Sequence, residues 1–423
     1  MSLLTLDIEK AAAGGRMLSR HNGQIVLVSG AIPGERVTAR LERTERGVAF
    51  AEVTEVLEPS IDRRPAAAGE ARCGGNVFLH IEYPRQLRLK GEIIQDAFRR
   101  IGRLPLPEPP IVTPSPERGY RMRARLHASG ERLGFYLEGS HQVCDAAATG
   151  QLLPETCDWI ADVPRKLDAR TRRDVAAIEI AENIPGQERA CHLELHAGAE
   201  PSRYTAVAEG LTGLSAARAD APGHVQIAGV PRVTDSIRVA GDPAVVLSLS
   251  RDVRAFFQGN RFLVEQLVRR VVELVPHGPV IDLYAGVGLF GLSLAAAGWT
   301  PVTCVEGDLI AGTDLARNAE PFGERVTSVR RSVETYVGSV GPRDVEDATV
   351  IVDPPRTGIS KQAIAHITRL QPRRIVYISC DVATLARDTR ALHDTGYGLS
   401  DLSGIDLFPN TAHVETLAVL ARE

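Results

Sequence analysis

The chain has 423 residues, 44% of them apolar and 24% charged, with a formal net charge of −4. That length calls for two or three domains, and the composition is that of a core-forming globular protein. A balance this close to neutral excludes a globally basic field, so any nucleic-acid surface has to be a local patch.

No window approaches the roughly 18 uninterrupted apolar residues of a membrane helix. The amino-terminal segment MSLLTLDIEK lacks the basic-then-apolar pattern of an export signal, which makes the cytoplasm the expected location. Six cysteines (Cys73, Cys144, Cys157, Cys191, Cys304, Cys380) are scattered without disulfide-framework spacing, in keeping with a reducing compartment.

Residues 1–58 alternate short β-like segments with turn signals at Gly14-Gly15, Asn22-Gly23 and Pro33-Gly34. Gln24–Val28, Glu35–Leu41 and Val48–Val53 have strand composition, and strands so short and closely spaced predict a small β-barrel. Residues 59–250 open on a Pro- and Ala-rich loop, continue into a predicted helix from Pro84 to Arg100, and then carry β-like segments at Arg121–Ser129, Leu133–Glu138, His192–His196 and Val245–Leu249. This predicts a β-rich central domain. Between Arg85 and Arg125 there are ten Lys/Arg against four Asp/Glu. Such a run is often no more than a solvated face, yet it is the best candidate here for contacts to phosphates.

From about residue 251 helices and strands alternate. A predicted helix over Asn260–Leu274 precedes apolar strands at 279–284, 301–305, 326–329, 348–352 and 374–379, the pattern of a Rossmann-like parallel sheet covered on both faces. The last two segments, Gly398–Leu402 and His413–Leu420, leave no room for a helix between them and are expected to pair antiparallel. Ligands of such sheets bind at the strand carboxyl ends.

The first of these strands runs into Asp282-Leu-Tyr-Ala-Gly286-Val-Gly288-Leu-Phe-Gly291, a G-x-G-x-x-G loop between strand and helix. Glu306, ending the next strand, is placed to hold ribose hydroxyls. Alone, the loop suits a nicotinamide site or, less often, a plain strand–helix turn without a ligand. Two further motifs favour other chemistry. Asp353-Pro354-Pro355-Arg356 follows strand four, where two prolines stiffen the backbone beside a carboxylate; an aromatic residue, usual where exocyclic amines are methylated, is replaced by Arg356. Ser379-Cys380-Asp381 follows strand five. A lone cysteine is ordinarily a small buried hydrophobe, but Cys380 falls between a strand end and a helix start, where the helix dipole favours thiolate. Glu415, in the final strand, faces the same rim if that strand is antiparallel.

Together with Phe256-Phe257-Gln258-Gly259-Asn260 and the stretch Asp406–Thr416, these motifs resemble the RNA uracil-C5 methyltransferases, which form 5-methyluridine in transfer and ribosomal RNA. The resemblance covers most of the chain. It implies an α/β Rossmann-like methyltransferase domain over 251–423, a β-rich central domain over 59–250 entered at Gly119-Tyr120-Arg121-Met122-Arg123, and, over 1–58, an oligonucleotide-binding-like barrel similar to a TRAM domain. By it, Gln258, Asp282, Tyr284, Gly286, Gly288, Glu306 and Asp353 contact S-adenosylmethionine. Cys380 is the nucleophile that adds to uracil C6, and Glu415 is the base that removes the C5 proton. The target base has to leave its stack to reach them, which favours single-stranded or loop RNA. Phe257 and Tyr284 are the aromatic residues nearest the motifs, equally suited to stacking or to core.

Many ribosomal-RNA members hold a [4Fe–4S] cluster through Cys-x5-Cys-x2-Cys and a distant fourth cysteine. Here Cys73 and Cys144 match the second and fourth positions, but Ala67 and Asn76 occupy the first and third. Two thiolates cannot hold a group that needs four, so no iron–sulfur centre and no other metal is expected. Gly259 also stands where the family more often has an apolar residue. A catalytically silent RNA-binding protein and an RNA cytosine-C5 methyltransferase are the competing expectations; the second usually has another cysteine in the strand-four motif, absent here. A nicotinamide dehydrogenase is more distant still. Nothing in the sequence calls for an obligate partner, so a monomer is the expected state.

Overall fold

A computed structural model describes residues 2–12, 14–65, 73–240, 245–342, 345 and 347–422. The amino-terminal unit is a six-stranded sheet whose neighbours run Leu3–Asp7, Arg36–Glu45, Val48–Glu58, Gln24–Ser29, Met17–His21 and Lys10–Ala11. Alternate residues point inward, so Val26, Val28, Val37, Ala39 and Ala51 make a core while their neighbours face solvent. The three strands expected from composition are present, and Leu3–Asp7 and Met17–His21 join them.

The expected helix spans Tyr83–Ala97, with Pro84 in its first turn, where a missing N–H costs nothing. It widens into a π-helical turn, Phe98–Gly102. The central sheet orders Val225–Gly229, Gly213–Arg218, Arg189–Leu195, Val175–Glu182, Arg123–Ser129 and Arg132–Gly134, with its own apolar core around Ile178, Leu193 and Leu214. The hairpin Arg232–Ala240/Val245–Asp252 does not extend this sheet. Its Ile237, Val239, Leu247 and Leu249 pack instead into the carboxyl-terminal core beside the helix Val264–Leu274.

The carboxyl-terminal sheet contains β1 (Val280–Leu283), β2 (Val302–Glu306), β3 (Val326–Arg330), β4 (Thr349–Val352), β5 (Arg374–Ser379), β6 (Tyr397–Ile405) and β7 (Glu415–Arg422). Its order is β3-β2-β1-β4-β5-β7-β6, with the short strand Val112–Thr113 on the β6 edge. Strands β1 to β5 pair in parallel, and β7 runs antiparallel to both β5 and β6, as the absence of a linking helix requires. The order reverses between β1 and β4, and the crevice opens above their carboxyl ends. Among the described residues no helix is long and apolar enough to cross a membrane.

Candidate active site

A cavity of about 950 Å³ lies over the carboxyl ends of the parallel strands, walled on one side by the central domain. Seven of the nine residues expected in the site line it: Gln258, Tyr284, Gly286, Glu306, Asp353, Cys380 and Glu415. Asp282 and Gly288 do not. Asp282 is fully buried and its Oδ2 accepts the Gly291 N–H at 2.8 Å, so it braces the loop from beneath instead of touching a ligand. Burial pushes its carboxyl up to about 8, which keeps it largely neutral at physiological pH. Gly288 is in the left-handed region (φ +100°), where a Cβ would lie 2.4 Å from the Leu292 side chain; its role is the turn. Gly286, also left-handed, faces open space.

Glu306, at the end of β2, accepts the Gly286 N–H at 2.8 Å through Oε2 and the Asp308 N–H at 2.7 Å through Oε1. The glycine loop is thus held open by carboxylates on both sides. Glu306 and Asp308 stand beside apolar Ile310 and Phe290 in the cavity wall, an arrangement that suits a nucleoside: acceptors for ribose hydroxyls, an apolar slot for a base. These residues fit the adenosyl group of the methyl donor that the resemblance implies.

The reactive end is built by register. Ser379 of β5 pairs with Thr416 of β7, and one step further along the antiparallel ladder brings Cys380 level with Glu415. Asp353, just past β4, accepts from Gln258 Nε2 at 3.2 Å. Burial, followed by the Asp353 charge, pushes the Glu415 carboxyl well above its usual range, and the Arg356 guanidinium opposes this. Burial likewise raises Asp353 to about 7. The thiol does not behave as its place at a helix start predicts. Asp381 caps the helix Val382–His393 by accepting the Thr384 N–H, yet Cys380 is pushed up to about 11, by burial first and by Glu415 second. Arg356 is the group that pulls it back, through charge and a side-chain hydrogen bond. The free site therefore holds a thiol, and the helix dipole loses to desolvation.

Two buried anchors hold these loops. The Asp388 carboxylate accepts from Tyr377 Oη and the Ile359 N–H, both at 2.8 Å, and pairs with Arg387, fixing the end of the Pro354–Gly358 turn. Lys90, on the helix Tyr83–Ala97, pairs with Asp406, and its Nζ also donates to the Phe408 carbonyl at 3.0 Å. Tyr83 Oη donates to Asp406, and Gln86 exchanges hydrogen bonds with Asn410. The segment that delivers Glu415 is therefore clamped by a helix more than 300 positions earlier in the chain.

The sequence missed the central-domain wall: Arg121, Phe135 and Tyr136 line the cavity, as do Phe256, Arg356 and His413. Phe256 is exposed, whereas Phe257 is buried under the Arg251 guanidinium; Phe257 and Tyr284 both line the cavity while packing on the core below. The basic run does not form one phosphate face. Arg85, Arg88, Lys90, Arg99, Arg100, Arg123 and Arg125 all have carboxylate partners. Among the described residues only Arg103, Arg118 and Arg121 of that run form no ion pair.

Cys73 and Cys144, whose sequence spacing suggested no disulfide framework, are bonded to each other with their Cα atoms 6.0 Å apart. Asn76 Nδ2 donates to the Thr149 carbonyl, and Ala67 lies outside the described residues.

Fold and site together define a class I methyltransferase unit carried behind a small β-barrel and a β-rich domain. Residues 232–423 match the family model described as tRNA (uracil-5-)-methyltransferase, and residues 2–54 match that of the TRAM domain. An RNA methyltransferase of Streptomyces coelicolor is 31% identical, covering 98% of this chain and 92% of its own. The 23S rRNA (uracil(1939)-C(5))-methyltransferase of Azoarcus is 30% identical over 99% of both chains. The crystal structure of Pyrococcus abyssi tRNA (uracil-54, C5)-methyltransferase in complex with S-adenosyl-L-homocysteine has the same fold, with a TM-score of 0.74, 23% identity, and coverage of 99% of this chain and 100% of that one. The chain belongs to the RNA uracil-C5 methyltransferase family.

Proposed function

We propose that this protein forms 5-methyluridine in ribosomal or transfer RNA, with Cys380 as covalent nucleophile and Glu415 as the proton-abstracting base. The observation that carries the reading is the convergence of Cys380, Glu415, Asp353 and Arg356 on one cavity that also contains the nucleoside-suited Gly286–Glu306 wall. Gln258, Tyr284, Gly286, Glu306 and Asp353 would hold S-adenosylmethionine, which when bound supplies an electrophilic methyl group to C5.

Uracil C5 is too weak a nucleophile to take that group unaided. Cys380 thiolate adds to C6, and the C5=C6 electron pair moves onto C5 and the adjoining carbonyl, making C5 enolate-like. After methylation, Glu415 takes the C5 proton, the double bond re-forms, and the S–C6 bond breaks to return the thiolate. Arg356 stabilises the thiolate by its charge, and Asp353, held by Gln258, keeps Glu415 strongly basic. The barrel of residues 1–58 and the central domain of 59–250 grip the RNA, while 251–423 carry the chemistry; the hairpin 232–252 bridges the last two by packing with the catalytic core.

Incubation with labelled S-adenosylmethionine and ribosomal and transfer RNA transcripts, followed by nucleoside mass spectrometry, tests the reading. The expected product is 5-methyluridine. Label in 5-methylcytidine, or none, contradicts it.

A further inference from the structure

We propose that Arg121 is a phosphate clamp for the extruded nucleotide, a subsite that rests on the RNA reading above. Its backbone position is fixed: Arg121 N–H donates to the Gln151 carbonyl at 2.9 Å, and flanking bonds from Met122 to Gly259 and from Arg261 to Tyr120 tie the strand to the Gln258 segment. Gln258 in turn holds Asp353, so Arg121 is registered to the reacting atoms through two backbone links and one side chain. The guanidinium rests against the Phe135 ring, its carbon 5.4 Å from the centroid, which fixes its plane.

What distinguishes Arg121 is the missing counter-charge. Arg123 and Arg125, on the strand that follows, pair with Glu179 and Glu194 at 3.4 and 2.6 Å, and Arg254, also in the cavity wall, pairs with Asp252 at 2.8 Å. Arg121 is half-buried, lines the cavity, and has no carboxylate partner among the described residues; its Nε is buried without a hydrogen-bond acceptor. A half-buried guanidinium with no carboxylate partner and an open Nε can be completed by an anion from outside. A nucleotide whose base lies at Cys380 carries a phosphodiester with it through the same cavity. Arginine matches that group with two parallel donors.

The methionine carboxylate of the methyl donor is the other anion that enters this cavity, and the test separates the two. The probe is an RNA stem-loop with a single loop uridine that the wild-type protein methylates, made with normal linkages and with neutral methylphosphonates on either side of that uridine. Arg121→Gln is expected to weaken RNA binding roughly tenfold, to lower the slope of log Kd against log salt by about 1, and to leave S-adenosylmethionine affinity unchanged. Arg121→Lys should recover part of the loss. One methylphosphonate should weaken wild-type binding by a similar factor and have no further effect in Arg121→Gln. Equal losses in both proteins, or a loss confined to S-adenosylmethionine affinity, overturn the proposal. Absence of methyl transfer by the wild type to any RNA would instead count against the function on which it rests.

Discussion

Lys90 and Asp406 form an ion pair in which neither side chain reaches solvent, joining the first long helix to the segment that presents Glu415. Burial pulls the Lys90 ammonium below its usual range and Asp406 opposes the shift, so each charge depends on the other. Removing one partner leaves an uncompensated buried charge. Lys90→Met or Asp406→Asn should therefore destabilise the fold by about 3–5 kcal/mol in urea unfolding. The double variant Lys90→Met/Asp406→Leu should recover much of that. Equal losses in the single and double variants would remove the pairing argument.

Cys380→Ala should lower turnover by roughly 10⁴-fold or more, because no other side chain replaces a covalent nucleophile. S-adenosylmethionine affinity, measured by calorimetry, should stay within about twofold, since the Gly286–Glu306 wall lies on a separate element.

Glu415→Gln should stall the reaction after methyl transfer, with the RNA still attached to the protein. Denaturing electrophoresis with labelled RNA reads the adduct directly. Normal turnover by this variant would reassign the base.

The thiol and Glu415 are both held above their usual ranges, and both act deprotonated. The rate at subsaturating RNA should accordingly climb with pH from 7 towards 10 instead of levelling near neutrality. Arg356→Ala removes the group that lowers both, so its profile should move to higher pH, with the largest deficit near pH 7. Coincident profiles would show that Arg356 does not tune the thiol.

Asp282 gives a stability test of a different sign from most carboxylates. Its folded-state value near 8 lies above the ordinary 3.8, so the folded protein keeps a proton that the unfolded chain releases. Stability from this group is complete below about pH 4 and is lost as pH rises through about 8. Asp282→Asn cannot titrate, and its stability relative to wild type should improve steadily across that interval in denaturant melts.

Sheet strands and reactive motifs were legible because both are local. Continuous apolar runs located β1 to β5 to within a residue or two, and Cys380 and Glu415, singled out as candidates, do lie at strand ends lining one cavity. Charge partnership was not legible. Arg121, Arg123 and Arg125 look alike in sequence, but Glu179 and Glu194 reach the latter two from 56 and 69 positions away, leaving Arg121 open. Lys90 looked like part of a solvated face until Asp406, 316 residues on, covered it. The thiolate expectation failed for a related reason: a helix start is visible in sequence, whereas the desolvation that outweighs it depends on what packs above. Within the central domain, Val175–Glu182 has too many alanine and glutamate residues to announce a strand, and only pairing on both edges makes it one.

The covalent step can be tested without knowing the natural site. RNA containing 5-fluorouridine has no C5 proton for Glu415 to remove, so the adduct should persist once the base is methylated. Protease and nuclease digestion followed by mass spectrometry should then find the peptide bearing Cys380 joined to a methylated fluorouridine. An adduct on another residue, or 5-methyluridine formed from ordinary RNA with no adduct trapped from the fluorinated one, would contradict the account.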